Sequence, residues 1–308
     1  MTDIRSRHVV VLMGGRSSER EISLTSGRAA ARALAGLGHR VTEIDAGADT
    51  ESYGGLAGRL AELSPDVVFI ALHGRFGEDG TIQGLLELLG IPYTGSGLLA
   101  SAVATHKLMS KRLMVAAGIP TPAFEEVYPD TLSLTIPYPV VLKPNRGGSS
   151  IGIREVKGPE SLAGALDLAF AEDEHAYAEA MISGREVTVS VLAGNPLPIV
   201  EIVPPAGIFS FEAKYGDAGT RYVVPAELKA DVATTVSEVA LATYRTLDCA
   251  GAARVDLMLD ADMKPWVLEI NTIPGMTPTS LLPKAAGAVG MSFSELIQHM
   301  LDAAVTPS

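Results

Sequence analysis

Hydrophobic residues along this chain switch between continuous runs, strict alternation and helical spacing, and the switches mark its elements. Residues 8–13 (HVVVLM) are uninterrupted apolar, as in a parallel strand covered on both faces. Gly14-Gly15 breaks the run. Ser18 followed three residues later by Glu21 has capping-box spacing and predicts the start of an Ala-rich helix that ends near Gly36–Gly38. Further strands are predicted at 39–45 and 65–72, a helix at 81–89 and a short strand at 91–94. Strands alternating with helices imply a parallel sheet with right-handed crossovers, and this first domain is placed at 1–95.

From 97 to 117 the pattern is helical, with Gly118-Ile119-Pro120 as its stop. Residues 122–139 carry four prolines and read as irregular. Strands follow at 140–143 and 151–156, a helix at 159–171 and a strand at 176–181, which together form a central domain, 96–184. Beyond it, 187–192 and 197–203 flank Ala193-Gly194-Asn195-Pro196 as a hairpin. Residues 204–226 read as one long loop, a length usually tied to function or disorder. A helix at 230–247, a hairpin of 252–259 with 265–271 and a helix at 292–304 complete a third domain, 185–308.

Composition narrows the classes. The chain has 308 residues, 47% of them hydrophobic and 19% charged, which excludes a disordered chain. No apolar run approaches a membrane span, and MTDIRSRH leads into the first strand without a signal-peptide core. With one cysteine, Cys249, there is no internal disulfide framework, and a cytoplasmic location is expected. The net charge of −12 argues against nucleic acid or anionic lipid as a partner. It leaves room for a local basic pocket around a phosphorylated ligand.

The hairpin at 252–271 carries the clearest chemistry. If Leu259 and Lys264 are opposite, Arg254 faces Glu269 with Asp256 diagonal to it. Arg254, Asp256, Glu269 and Asn271 then share one side, and Val255, Leu257, Leu259, Trp266, Leu268 and Ile270 take the other. Two carboxylates and an amide oxygen suit a hard cation such as Mg²⁺. The plainer alternative is an Arg–Glu surface pair. Asn-Thr-Ile-Pro-Gly, directly after the strand, favours a ligand site.

Other segments are weaker singly. Lys143 and the Asn145–Ser150 loop combine a lysine with glycines and serines whose N–H groups can cradle an anion, though no P-loop pattern occurs. Gly14–Glu19 lies at the carboxyl end of the first strand, where ligands of parallel sheets bind, and is not GxGxxG. Glu19 there is either a ligand or a helix-dipole partner. His73 ends the third strand at the same edge.

In combination these segments are recognisable. GGRSSERE (14–21), ALHGRFGEDG (71–80), PYTGSG (92–97), KPNRGGSSIG (143–152), EAKY (212–215), RVD (254–256) and EINTIPGMT (269–277) resemble, in order, D-alanine–D-alanine ligases of the ATP-grasp superfamily. The resemblance implies an α/β fold with an N-terminal Rossmann-like domain and two α+β domains sandwiching ATP. It implies ATP-dependent joining of two D-alanines through an acyl phosphate, for peptidoglycan synthesis, by a homodimer. Asp256, Glu269 and Asn271 would hold two Mg²⁺ ions, for which Mn²⁺ can substitute. Lys107 and Lys143 would contact ATP phosphates, covered by Ser149-Ser150, with Glu179 and Glu186 on the adenine and ribose side. Glu19 would hold the first D-alanine's ammonium beside His73. Arg254 and the Gly275 N–H would stabilise the tetrahedral oxyanion, and Ser280 with Leu281 would receive the second carboxylate. Lys214 and Tyr215 would belong to a closing lid, linked through Ser149 to Glu19.

Departures from the family pattern are His106 for a usual Asp before Lys107, Ala180 for a frequent lysine, and Ile273. The alternatives are a D-alanine–D-lactate or D-alanine–D-serine ligase, and a nucleotide-binding protein without catalysis. Tyr215 favours the dipeptide product, since depsipeptide-forming relatives often carry His there. The intact metal set argues against the non-catalytic reading.

Overall fold

The computed structural model describes residues 6–47, 53–147, 151–204, 219–277 and 279–306. The first unit is a parallel sheet, ordered β2-β1-β3, of β1 (His8–Met13), β2 (Arg40–Asp45) and β3 (Val67–Ile70). Alternation along β1 sends Val9, Val11 and Met13 to one face and Val10 and Leu12 to the other. The first face packs on α1 (Arg20–Gly36), the second on α2 (Tyr53–Leu63) and α3 (Thr81–Leu89). The expected strand at 91–94 is reduced to single bridges of Tyr93 with Val68 and Val305. The expected capping box at Ser18 is absent. Ser17 Oγ donates to the His73 carbonyl (2.7 Å), so the segment before α1 serves the loop at the strand ends rather than the helix.

The predicted helix at 97–117 is two helices, α4 (Leu98–Thr105) and α5 (Lys107–Ala116). His106 separates them with ψ 84°, a non-helical backbone, and its Nδ1 accepts the Met109 N–H at 3.2 Å as the cap of α5. Next comes an antiparallel sheet, ordered β4-β7-β5-β6, of β4 (Phe124–Val127), β5 (Val140–Pro144), β6 (Arg154–Val156) and β7 (Ala176–Ala180). Its apolar face, with Val127, Val140, Leu142, Ala176 and Ala178, packs on α6 (Leu162–Glu172). Its other face carries Lys143, Tyr177 and Glu179, because opposed residues of an antiparallel pair share a side. β4 lies within the segment expected to be irregular.

A third sheet is ordered β11-β10-β8-β12-β13, with β9 beside β8. Its strands are β8 (Arg185–Leu192), β9 (Asn195–Pro196), β10 (Val200–Val203), β11 (Arg221–Val223), β12 (Ala252–Leu259) and β13 (Pro265–Asn271). The turn between β8 and β9 is Ala193-Gly194, both at positive φ (48° and 78°), so Asn195-Pro196 already belong to the strand. The back of this sheet, including Val187, Val189, Val191, Val255 and Leu257, packs on α7 (Ala230–Thr246) and on α4 and α5. The chain then returns to the first unit. After α8 (Leu281–Gly287), helix α9 (Phe293–Asp302) packs against α1 and opens with the one capping box the structure forms among the described residues, Ser292 with Glu295. Among the described residues no helix is long and apolar enough to cross a membrane.

The register of the β12–β13 hairpin corrects the expected one. Asp260 accepts N–H bonds from Asp262 and Lys264 and from the Trp266 indole, which widens the loop so that Leu259 pairs with Pro265 rather than Lys264. A β-bulge then skips Leu268. Arg254 therefore faces Asn271, and Asp256 faces Glu269 directly. The four polar residues still share one side. Val267 moves to the apolar side with Leu257, and Trp266 pairs with Met258 on the polar side.

Candidate active site

The polar side of β12–β13 forms the acidic wall of a cleft. Direct opposition brings Asp256 and Glu269 to within the ~5 Å typical of Cβ atoms in such pairs. Arg254 grips Asp256 in a fork, Nε to Oδ1 at 2.8 Å and Nη2 to Oδ2 at 2.7 Å. Thr188 on β8 donates to the same Oδ1 at 2.7 Å. Asp256 is 5% exposed, so this arrangement fixes its orientation. Asn271 Oδ1 accepts the Ile273 N–H at 2.9 Å and holds the turn that ends the strand. Glu186 lies on the same side of β8, opposite Met258. Asp256, Glu269 and Asn271 offer oxygen donors only, the chemistry a hard divalent cation prefers. Among the described residues no group of three or more His, Cys, Asp or Glu gathers as a metal site, so any ion here would rest on the two carboxylates and the Asn271 amide.

The central sheet supplies the basic wall. Lys143 on β5 forms an ion pair with Glu179 on β7, and Lys111 on α5 pairs with the other oxygen of the same carboxylate. Burial pushes the Glu179 carboxyl up, but Lys111 and Lys143 together outweigh it and hold it below the usual range. Lys107, first residue of α5, donates to the Gly147 carbonyl at 2.5 Å and lies 3.4 Å from Glu269 Oε2. It is the point where the two walls meet.

The third wall is the edge of the parallel sheet. Gly14 and Gly15 turn the chain at φ 75° and 80°, and a Cβ at Gly14 would collide with Asp45 and Arg20. Arg20 is bonded to Asp45 and, at 2.9 Å, to the Gly15 carbonyl, which fixes this loop. Glu19 lies against Gly74, where a Cβ would stand 2.8 Å from its Oε2. His73, 6% exposed, contacts Glu78 (3.3 Å) and Ser26 (3.5 Å), and Ser26 accepts the Met276 N–H at 3.3 Å. The loop after β13 is thus brought to the carboxyl edge of the first sheet. There Gly275 stands beside Ser280, close enough that a Cβ would be 2.9 Å from Oγ. Ser280 Oγ is 2.8 Å from Thr277 Oγ1, and Leu281 begins α8.

The structure thus gathers Glu19, His73, Gly275, Ser280 and Leu281 at one end, and Lys143, Glu179, Asp256, Glu269, Asn271, Arg254 and Glu186 on the facing sheets, with Lys107 at the start of α5 between them. Ser149, Ser150, Lys214 and Tyr215 lie outside the described residues. Sequence reasoning missed Thr188, which orients Asp256, and Lys111. It also missed Tyr222 on β11, which shares a side with Glu186 and has Lys284 Nζ 5.2 Å from its ring centroid. Burial raises the Tyr222 hydroxyl pKa, with the Glu186 charge adding to it. Lys111 had a readable signal, since Leu108, Lys111 and Met114 form one stripe of α5.

A parallel α/β unit joined to two antiparallel sheets, one faced by the lysines of β5 and α5 and the other by carboxylates, defines an α/β enzyme of the ATP-grasp class. Residues 47–96 match the family described as D-ala D-ala ligase N-terminus, and residues 113–302 the one described as D-ala D-ala ligase C-terminus. A D-alanine–D-alanine ligase of Syntrophotalea carbinolica is 48% identical over 97% of this chain and 96% of its own length. One from Bordetella petrii is 47% identical over 94% and 89%. A crystal structure of the Bacillus anthracis ligase superposes with a TM-score of 0.83 at 36% identity, covering 97% of both chains. The same enzyme complexed with ATP gives 0.82 at 34%. The chain belongs to the D-alanine–D-alanine ligase family.

Proposed function

We propose that this chain joins two D-alanines into D-alanyl-D-alanine at the expense of ATP, releasing ADP and phosphate, for peptidoglycan precursor synthesis. The observation that carries this reading is the pair of opposed carboxylates, Asp256 and Glu269, beside Arg254 and across from Lys143 and Lys107. A carboxylate attacking a triphosphate is anion meeting anion, and the barrier falls only where positive charge is preorganised. Asp256, Glu269 and Asn271 fit Mg²⁺ (or Mn²⁺) and would hold two ions. Bound there, the ions would neutralise phosphate charge.

The chain's own residues do the rest. Lys107 and Lys143 neutralise ATP phosphates under the Ser149-Ser150 loop, with Glu179 and Glu186 toward adenine and ribose. Glu19, beside His73, binds the first D-alanine's ammonium and leaves its carboxylate free to take the γ-phosphoryl group. The second D-alanine, its carboxylate at Ser280 and Leu281, attacks the acyl phosphate with its amine. Arg254 and the Gly275 N–H stabilise the tetrahedral oxyanion, and phosphate departs. Lys214 and Tyr215, with Ser149 linking toward Glu19, close the site against water. The same reading carries a three-domain division at 1–95, 96–184 and 185–308, a cytoplasmic homodimer, and no nucleic-acid or membrane partner. Phosphate release from ATP with Mg²⁺, with and without D-alanine, tests it. Strong stimulation by D-alanine is expected, and its absence refutes the reading.

A further inference from the structure

The most deeply buried charge outside the residues assigned above is Lys111, at 0% exposure. Its Nζ pairs with Glu179 Oε1, donates to Thr121 Oγ1 at 2.6 Å and lies 5.5 Å from the Phe124 ring centroid. Glu179, 1% exposed, holds Lys143 with Oε2. Thr121 in turn donates to the Val267 carbonyl at 2.8 Å, and Val267 N–H donates to the Pro120 carbonyl at 2.8 Å. Val267 lies on β13, two positions before Glu269.

As a stabiliser this group is a poor choice, because well-packed apolar replacements of buried ion groups are often neutral or better. Its geometry serves placement. Two ammonium groups on one carboxylate leave one net positive charge at the basic wall. With Oε1 occupied by Lys111, Glu179 engages Lys143 through a single oxygen, and the other Lys143 N–H donors stay available to an anion. Through Thr121 the same ammonium ties the basic wall to the strand that carries Glu269. We propose that Lys111 is a positioning residue for the phosphate end of ATP. It holds Glu179, and through it Lys143, at a fixed spacing from β13. The proposal rests on the ATP-dependent reading above.

A double-mutant cycle tests it, with Lys111→Met, Glu179→Gln and both together. ATP affinity is measured by calorimetry without D-alanine, the KM values for ATP and D-alanine by phosphate release, and the fold by Tm. Lys111→Met is expected to weaken ATP binding about tenfold and to leave the D-alanine KM within about twofold. On the Glu179→Gln background the same substitution is expected to change ATP affinity by less than about threefold, because the carboxylate that joins Lys111 to Lys143 is already gone. Equal losses of ATP affinity on both backgrounds would overturn the proposal, as would a rise of both KM values together. Where Lys111→Met alone does not fold, the comparison of Glu179→Gln with the double variant decides. The unsubstituted protein is the control. If it shows no D-alanine-stimulated phosphate release, the activity reading fails and not this one.

Discussion

The two antiparallel sheets face the same cleft with opposite chemistry. On the C-terminal sheet, alternate residues of β12 and β13 present Asp256, Glu269 and Asn271, oxygen donors suited to cations, with Arg254 as their counterion. On the central sheet and α5, Lys143 and Lys111 outnumber the one carboxylate between them, so the surplus is positive and suited to phosphate. A metal–nucleotide needs both signs, and two separate sheets supply them. Their meeting point is Lys107, 3.4 Å from Glu269.

The largest way to break this contrast is to remove charge from the acidic wall. Glu269→Gln is expected to lower D-alanine-dependent phosphate release by about 10²–10³-fold. Activity within a few-fold of the parent would remove the hairpin from the chemistry. Next is the basic wall, where Lys143→Met is expected to raise the KM for ATP about tenfold or more and to leave D-alanine recognition near its parent value. A selective effect on D-alanine would reverse the assignment of the two walls. Thr188→Val sharpens the acidic side, since it deletes only the hydroxyl that orients Asp256. The Mg²⁺ concentration for half-maximal activity is expected to rise about tenfold, readable in a metal titration.

The smallest effect concerns His106, whose neutral Nδ1 caps α5 directly before Lys107. Burial lowers its pKa below the ordinary value, with Arg146 and then His175 adding to that, against the pull of Asp173. The folded state therefore binds fewer protons than the unfolded one between its lowered pKa and the ordinary value. Stability from this group is full above the ordinary value and declines as pH falls through that window. Tm at about pH 5.5 is expected to lie about 2 °C below that at about pH 7.5, beyond any slope shared with His106→Asp, whose carboxylate still caps the helix. Equal slopes for the two proteins would remove the cap as their source.

Much of this arrangement is written in local patterns. The run in β1 and the alternation of the hairpin give the parallel sheet and the shared polar side directly. The register was not legible, because three N–H bonds converging on the Asp260 carboxylate and a bulge at Leu268 leave no trace in alternation. Helix α2 hides behind Gly54, Gly55 and Gly58, poor helix formers held by the burial of Leu56 and Leu60. Strand β4 (FEEV) is disguised by its two glutamates, and β11 by the glycines and proline around it. The stripe of α5 hints that Lys111 is buried but not what pairs it, because Glu179, Thr121 and Phe124, which enclose it, come from later segments of the chain. Local pattern thus finds residues that share a strand, whereas a buried ion group assembled across a helix and two strands emerges only on folding.

The most direct measurement is the product formed from ATP, Mg²⁺ and D-alanine, in the presence and absence of D-lactate. The account predicts one D-alanyl-D-alanine for each ADP and phosphate released, and dipeptide as the main product even with D-lactate present. ADP release without dipeptide, or mainly depsipeptide at neutral pH, would contradict it.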